Sequence, residues 1–155
     1  MRFILIDKIK EIIPGDSITT TKSLSIAEEY LADHFPGFAV LPGVLMLEAM
    51  TQSAAWLIRI TDNFKNSVIT LKEAKNVKYI HFVTPGETLT IYVSLIDHSE
   101  NLTKVKAEGY VGEKLALSAK LIMKSMNIAD EDPVKAWKDK ELTEEMKKIY
   151  SLLTQ

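Results

Sequence analysis

The sequence contains no cysteine. Disulfides, thiol catalysis and thiolate metal sites are therefore excluded. Histidine is scarce: His34, His81 and His98 are the only three, so an all-histidine zinc site would consume every one. There is no excess of positive charge. The 19 basic and 21 acidic residues leave a formal net charge of −2, without the dense basic face that a nucleic-acid binder needs. The apolar run Phe3-Ile4-Leu5-Ile6 ends at Asp7. It is too short for a signal peptide, so a cytoplasmic protein is expected. The longest weakly charged stretch, 38–58, is broken by Pro42-Gly43 and carries Glu48, Thr51, Gln52 and Ser53. It reads as a helix buried inside a soluble protein rather than a membrane span.

What is present fits one hydrophobic core: 155 residues, 46% of them hydrophobic and 26% charged, suit a single globular domain. Residues 3–9 read as a first strand, 11–16 as a turn around Pro14-Gly15, and the threonine-rich 17–24 as a second strand. Residues 26–31 are expected to form one or two helical turns. The loop 33–43 holds two Pro-Gly pairs and should be rigid. Residues 44–60, apolar nearly all round, predict a helix wrapped by other elements. Period two then takes over, with strands expected at 68–74, 77–82, 88–97, 102–111 and 114–124. The architecture is α+β, an antiparallel sheet curved round one long helix. A domain of residues 1–126 is followed by a C-terminal helical extension, 127–155. There Asp132 is positioned to cap a helix, and Leu142, Met146, Ile149 and Leu153 form one apolar stripe. His98, beside a hairpin, is expected at the surface, and His81 in a structural role.

Three features could do chemistry. Glu48 is an isolated carboxyl in an apolar helix; burial would favour its neutral form, which can act as a general acid. His34 lies in the rigid loop leading into that helix, where a neutral imidazole could act as a base. Pro42-Gly43-Val44 start the helix, and free N–H groups there would polarise a carbonyl oxygen. Together they suggest β-elimination of water from a 3-hydroxyacyl compound, a reaction needing neither metal nor other cofactor.

The segment from His34 to Gln52, H-F-P-G-F-A-V-L-P-G-V-L-M-L-E-A-M-T-Q, resembles the signature of the FabZ-type 3-hydroxyacyl-(acyl-carrier-protein) dehydratases, H-F-P-G-x-P-x-x-P-G-V-L-x-x-E-A-x-x-Q. One proline is missing, at Ala39, and Asp33 stands where the family usually has glycine. Weaker similarity runs from Phe3 to about Met123. The resemblance implies a hotdog fold. It implies a homodimer at least, with a hexamer as the larger form, and a site in a tunnel between subunits. His34 and Glu48 would be catalytic and come from facing subunits. Gly43 and Val44 would bind the thioester, Gln52 would hold Glu48, and Phe38 would contact substrate. The partner implied is an acyl carrier protein bearing a (3R)-hydroxyacyl thioester, which Lys72, Lys75 and Lys78 could dock. Glutamate rather than aspartate at position 48 implies dehydration without double-bond isomerisation. The alternatives are a hotdog thioesterase and a non-catalytic acyl-binding subunit. The acyl chain and the role of the C-terminal helix are not legible.

Overall fold

Alternating burial sets the sheet. The computed structural model describes residues 3–155. Among these, six strands form: β1 (Lys8–Ile13), β2 (Ser17–Ser23), β3 (Val68–Tyr79), β4 (Thr88–His98), β5 (Leu102–Val111) and β6 (Lys114–Met126). The helices are α1 (Gly43–Thr61) and α2 (Ala136–Leu153). Ile18, Thr20 and Lys22 of β2, Leu89, Ile91 and Val93 of β4, and Val105 and Ala107 of β5 point inward at every second position. The strands pair antiparallel in the order β1-β2-β4-β5-β6-β3.

α1 lies across the inner face and packs on β2 to β6. Met46, Met50, Leu57 and Ile58 fill the core, while Ala49, Ser53 and Ala54 let helix and sheet approach closely. Ser53 Oγ donates to the Ala49 carbonyl at 2.8 Å and lies 2.7 Å from Thr20 Oγ1, so this buried hydroxyl pair is satisfied. The expected sheet curved round a long helix is present.

α2 closes the remaining side. Its Leu153 is buried, and Met146, Ile149 and Tyr150 pack against the core. Tyr150 contacts the rings of Trp56 and Phe64, at 5.9 and 6.3 Å. The first turn of α2 is pinned by Asp139. Its carboxylate accepts hydrogen bonds from Ser67 Oγ and from the N–H groups of Ile128 (2.7 Å) and Ala129 (2.9 Å).

Four expectations are corrected. The first strand is Lys8–Ile13, not 3–9, and the turn is confined to Pro14–Asp16. Residues 3–6 instead lie extended against α1, where Leu5 and Ile6 are buried. The two strands expected at 68–74 and 77–82 are one. Irregular register at Leu71/Glu73 and Lys75/Lys78, with Asn76 at φ 52°, absorbs extra residues without ending the ladder. Asp132 does not cap through its side chain; it pairs with Lys135 Nζ at 3.1 Å. His98 is half-buried, with Nε2 2.7 Å from Asp62 Oδ1 and Nδ1 2.7 Å from Thr103 Oγ1. It ties the end of α1 to the β4–β5 hairpin, which burial of Thr103 makes worthwhile.

Candidate active site

The loop before α1 is held by its own backbone. Phe35 and Phe38 exchange N–H···O=C bonds, each 2.9 Å, closing a tight turn in which Gly37 takes φ 80°, a value glycine adopts without strain. The Val40 N–H reaches the His34 carbonyl at 3.1 Å, and the Leu41 N–H reaches Val83 O at 2.9 Å. The His34–Phe35 peptide is cis. The His34 ring stacks on Phe35 with centroids 4.1 Å apart. Its Nδ1 lies 3.2 Å from the Val40 carbonyl, which can only accept, so in the neutral ring Nδ1 carries the proton. That tautomer leaves Nε2 with a free lone pair, the form a base needs.

His34 and Gly43 line one cavity of about 260 Å³, with Met46, Tyr79, His81 and Phe82. Gly43 opens α1, so its N–H has no carbonyl upstream in the helix. A Cβ here would fall 2.9 Å from Tyr79 Cε1, so a larger residue has to push that ring aside. Phe38 and Val44 are 52% and 71% exposed, and Phe38 meets Phe82 edge-on at 5.7 Å.

Glu48 and Gln52 line a different, larger groove of about 380 Å³, between α1 and α2. Gln52 works in three directions. Its Nε2 donates to Glu48 Oε1 (3.1 Å) and to the Phe3 carbonyl (2.9 Å), while its Oε1 accepts from the Leu5 N–H (2.9 Å). Glu48 itself is exposed. Within one chain, then, the structure places the imidazole with the helix start and the carboxyl with its amide, in separate depressions.

Sequence reasoning missed the rest of the second groove. Arg59 stands at helical spacing from Glu48 and Gln52, a signal that was available. Met146 and Ile149 also line it, and the apolar stripe of α2 marked them without showing what they face.

The comparisons with known proteins bear on this arrangement. A FabA-like domain matches residues 1–120. A 3-hydroxyacyl-(acyl-carrier-protein) dehydratase FabZ of Levilactobacillus brevis is 40% identical over 118 residues, 76% of this chain and 80% of the relative. Its counterpart in Rickettsia bellii is 37% identical over 119 residues, 76% and 82% of the two chains. The chain belongs to the FabZ-type dehydratases. Solved structures extend the likeness in fold alone. The dehydratase heterocomplex ApeI:P of Xenorhabdus doucetiae superposes with a TM-score of 0.69 at 15% identity, covering 84% of this chain and 88% of that one. A Streptococcus mutans protein bound to acetyl CoA gives 0.63 at 15% identity, over 82% and 94%. The FabZ-type fold is thus the hotdog fold, and α2 lies beyond the residues that the family domain matches.

Proposed function

We propose that this FabZ-type enzyme removes water from (3R)-hydroxyacyl thioesters carried on acyl carrier protein, giving trans-2-enoyl thioesters in fatty-acid or related lipid synthesis. The observation that carries the reading is the free Nε2 of His34, set by the Val40 carbonyl and facing the cavity that the Gly43 helix start also lines. His34 Nε2 takes a proton from C2. The charge that develops on the thioester oxygen is held by the Gly43 N–H and the positive end of α1. Val44 and Phe38 flank the thioester. As the C2–C3 double bond forms, the C3–O bond breaks and Glu48 protonates the departing hydroxyl, which leaves as water. Gln52 keeps Glu48 aimed.

One chain holds His34 and Glu48 apart, so the working site takes His34 from one subunit and Glu48 from its partner, in a homodimer at least. The exposed apolar group of Phe35, Phe38, Val44, Tyr79, Ile80 and Phe82 supports such a contact. Exposed Lys72, Lys75 and Lys78 on β3 suit an acidic carrier protein. Among the described residues, no helix is long and apolar enough to cross a membrane.

The test is enoyl formation from a 3-hydroxyacyl thioester by the purified protein. His34→Ala and Glu48→Gln are each expected to lower kcat by about 10²–10⁴-fold. Wild-type turnover in both would remove the assignment, and release of free thiol would mark a thioesterase instead.

A further inference from the structure

The groove that holds Glu48 ends at a group the dehydration leaves unused. Arg59 lies on the same face of α1, eleven positions after Glu48, at the helical spacing that Gln52 and Trp56 share. Eleven positions of helix rise about 16 Å. Arg59 is partly buried, and its Nε is shut off from solvent with no hydrogen-bond partner. Among the described residues its guanidinium has no ion pair; its one close neighbour of note is the Trp56 ring, 5.4 Å away. Glu145, on the same wall, has an interaction of its own. Burial draws the Arg59 pKa down to about 10, which leaves the group charged near neutrality. A charged group with an unpartnered donor away from solvent is costly to hold. The walls are apolar at Ala55, Ile69, Met146 and Ile149 and carry Glu145 besides.

Resting on the dehydratase reading above, we propose that this groove receives the distal part of the acyl chain and that Arg59 recognises a carboxylate at its far end, so that ω-carboxylated 3-hydroxyacyl thioesters are preferred substrates. With the reacting carbons beside Glu48, the chain runs along α1 between that helix and the apolar stripe of α2. An extended hydrocarbon advances about 1.3 Å per carbon, so 16 Å corresponds to roughly twelve carbons. A planar guanidinium suits a carboxylate better than any other terminal group, because two parallel N–H donors can face its two oxygens. α2 supplies one wall, and so a segment outside the matched family domain shapes the choice of substrate.

The experiment compares 3-hydroxyacyl thioesters of about twelve carbons, ending in methyl or in carboxylate, on one carrier. The wild-type protein is expected to favour the carboxylate in kcat/KM by about tenfold or more. Arg59→Met, which keeps the length and removes the donors, is expected to reverse or abolish that preference. Arg59→Lys should keep part of it, since the charge remains and the fork does not. A wild-type preference for the methyl terminus, or an unchanged ratio in a folded Arg59→Met protein, overturns the proposal. If the wild type turns over neither thioester, the dehydratase reading fails separately. Calorimetric titration then decides the pocket: binding of the carboxylated thioester by wild type and not by Arg59→Met supports it, and equal or absent binding in both overturns it.

Discussion

At Gly43, a single hydrogen atom for a side chain serves two surfaces. It leaves the first N–H of α1 open to a ligand, and it makes room for the Tyr79 ring. Gly43→Ala should displace Tyr79 and narrow the cavity it shares with His34; the expected result is a fall in kcat/KM of at least about tenfold, with the melting temperature shifted by only a few degrees. Gln52→Ala should act through Glu48 rather than on substrate. Its expected signature is a lowered kcat with KM little changed and partial rescue by Gln52→Asn. His34 and Glu48 could be proposed from residue type and motif alone. Arg59 was not, although its spacing was on the page. Its meaning depends on the lack of an ion pair among the described residues, which only three-dimensional packing reveals.

Among the elements, α1 and the four strands from β4 to β6 and β2 follow from periodicity, because one buried face forces alternation or a 3.6-residue repeat. The failures share a cause. Residues 3–6 look like a strand because they are apolar, yet Leu5 and Ile6 bury and the segment bonds to Gln52 of α1 rather than pairing. Asn76 looks like a break, yet a bulge costs less than abandoning a ladder with β6. α2 depends on one residue at its start. Burial alone would raise the Asp139 pKa, but hydrogen bonds from Ser67, Ile128 and Ala129 outweigh it and lower the value. A depressed folded-state value means stability that is present above the unfolded pKa and lost as pH falls through the folded one. Docking of α2 should therefore loosen in acid, below about pH 4. Asp139→Ala should lower the melting temperature by about 3–6 °C near neutrality and flatten that acid dependence, both visible by circular dichroism.

For the whole molecule, the separation of His34 from Glu48 makes a prediction about mixing. If the base of one subunit works with the acid of its partner, inactive His34→Ala and inactive Glu48→Gln proteins complement each other. Each mixed dimer then has one intact site and one doubly damaged site. Random reassortment of equal amounts should restore about a quarter of wild-type activity. No recovery after verified subunit exchange would place both groups in the same chain. The sheet wrapped round a helix could be read in advance, as could the family. How subunits meet could not, because an exposed phenylalanine in a sequence looks the same as a buried one.

The Gln52 amide also has a bearing on heat. One side chain steadies the acid and fastens the extended segment at Phe3 and Leu5, so the two cannot be released independently. A segment that lies outside the sheet and is held by a few hydrogen bonds can detach well before a core melts. On gentle warming, turnover should therefore fade while the sheet is still intact, and return on cooling. The enzyme would carry a reversible thermal fuse in the segment that Gln52 fastens.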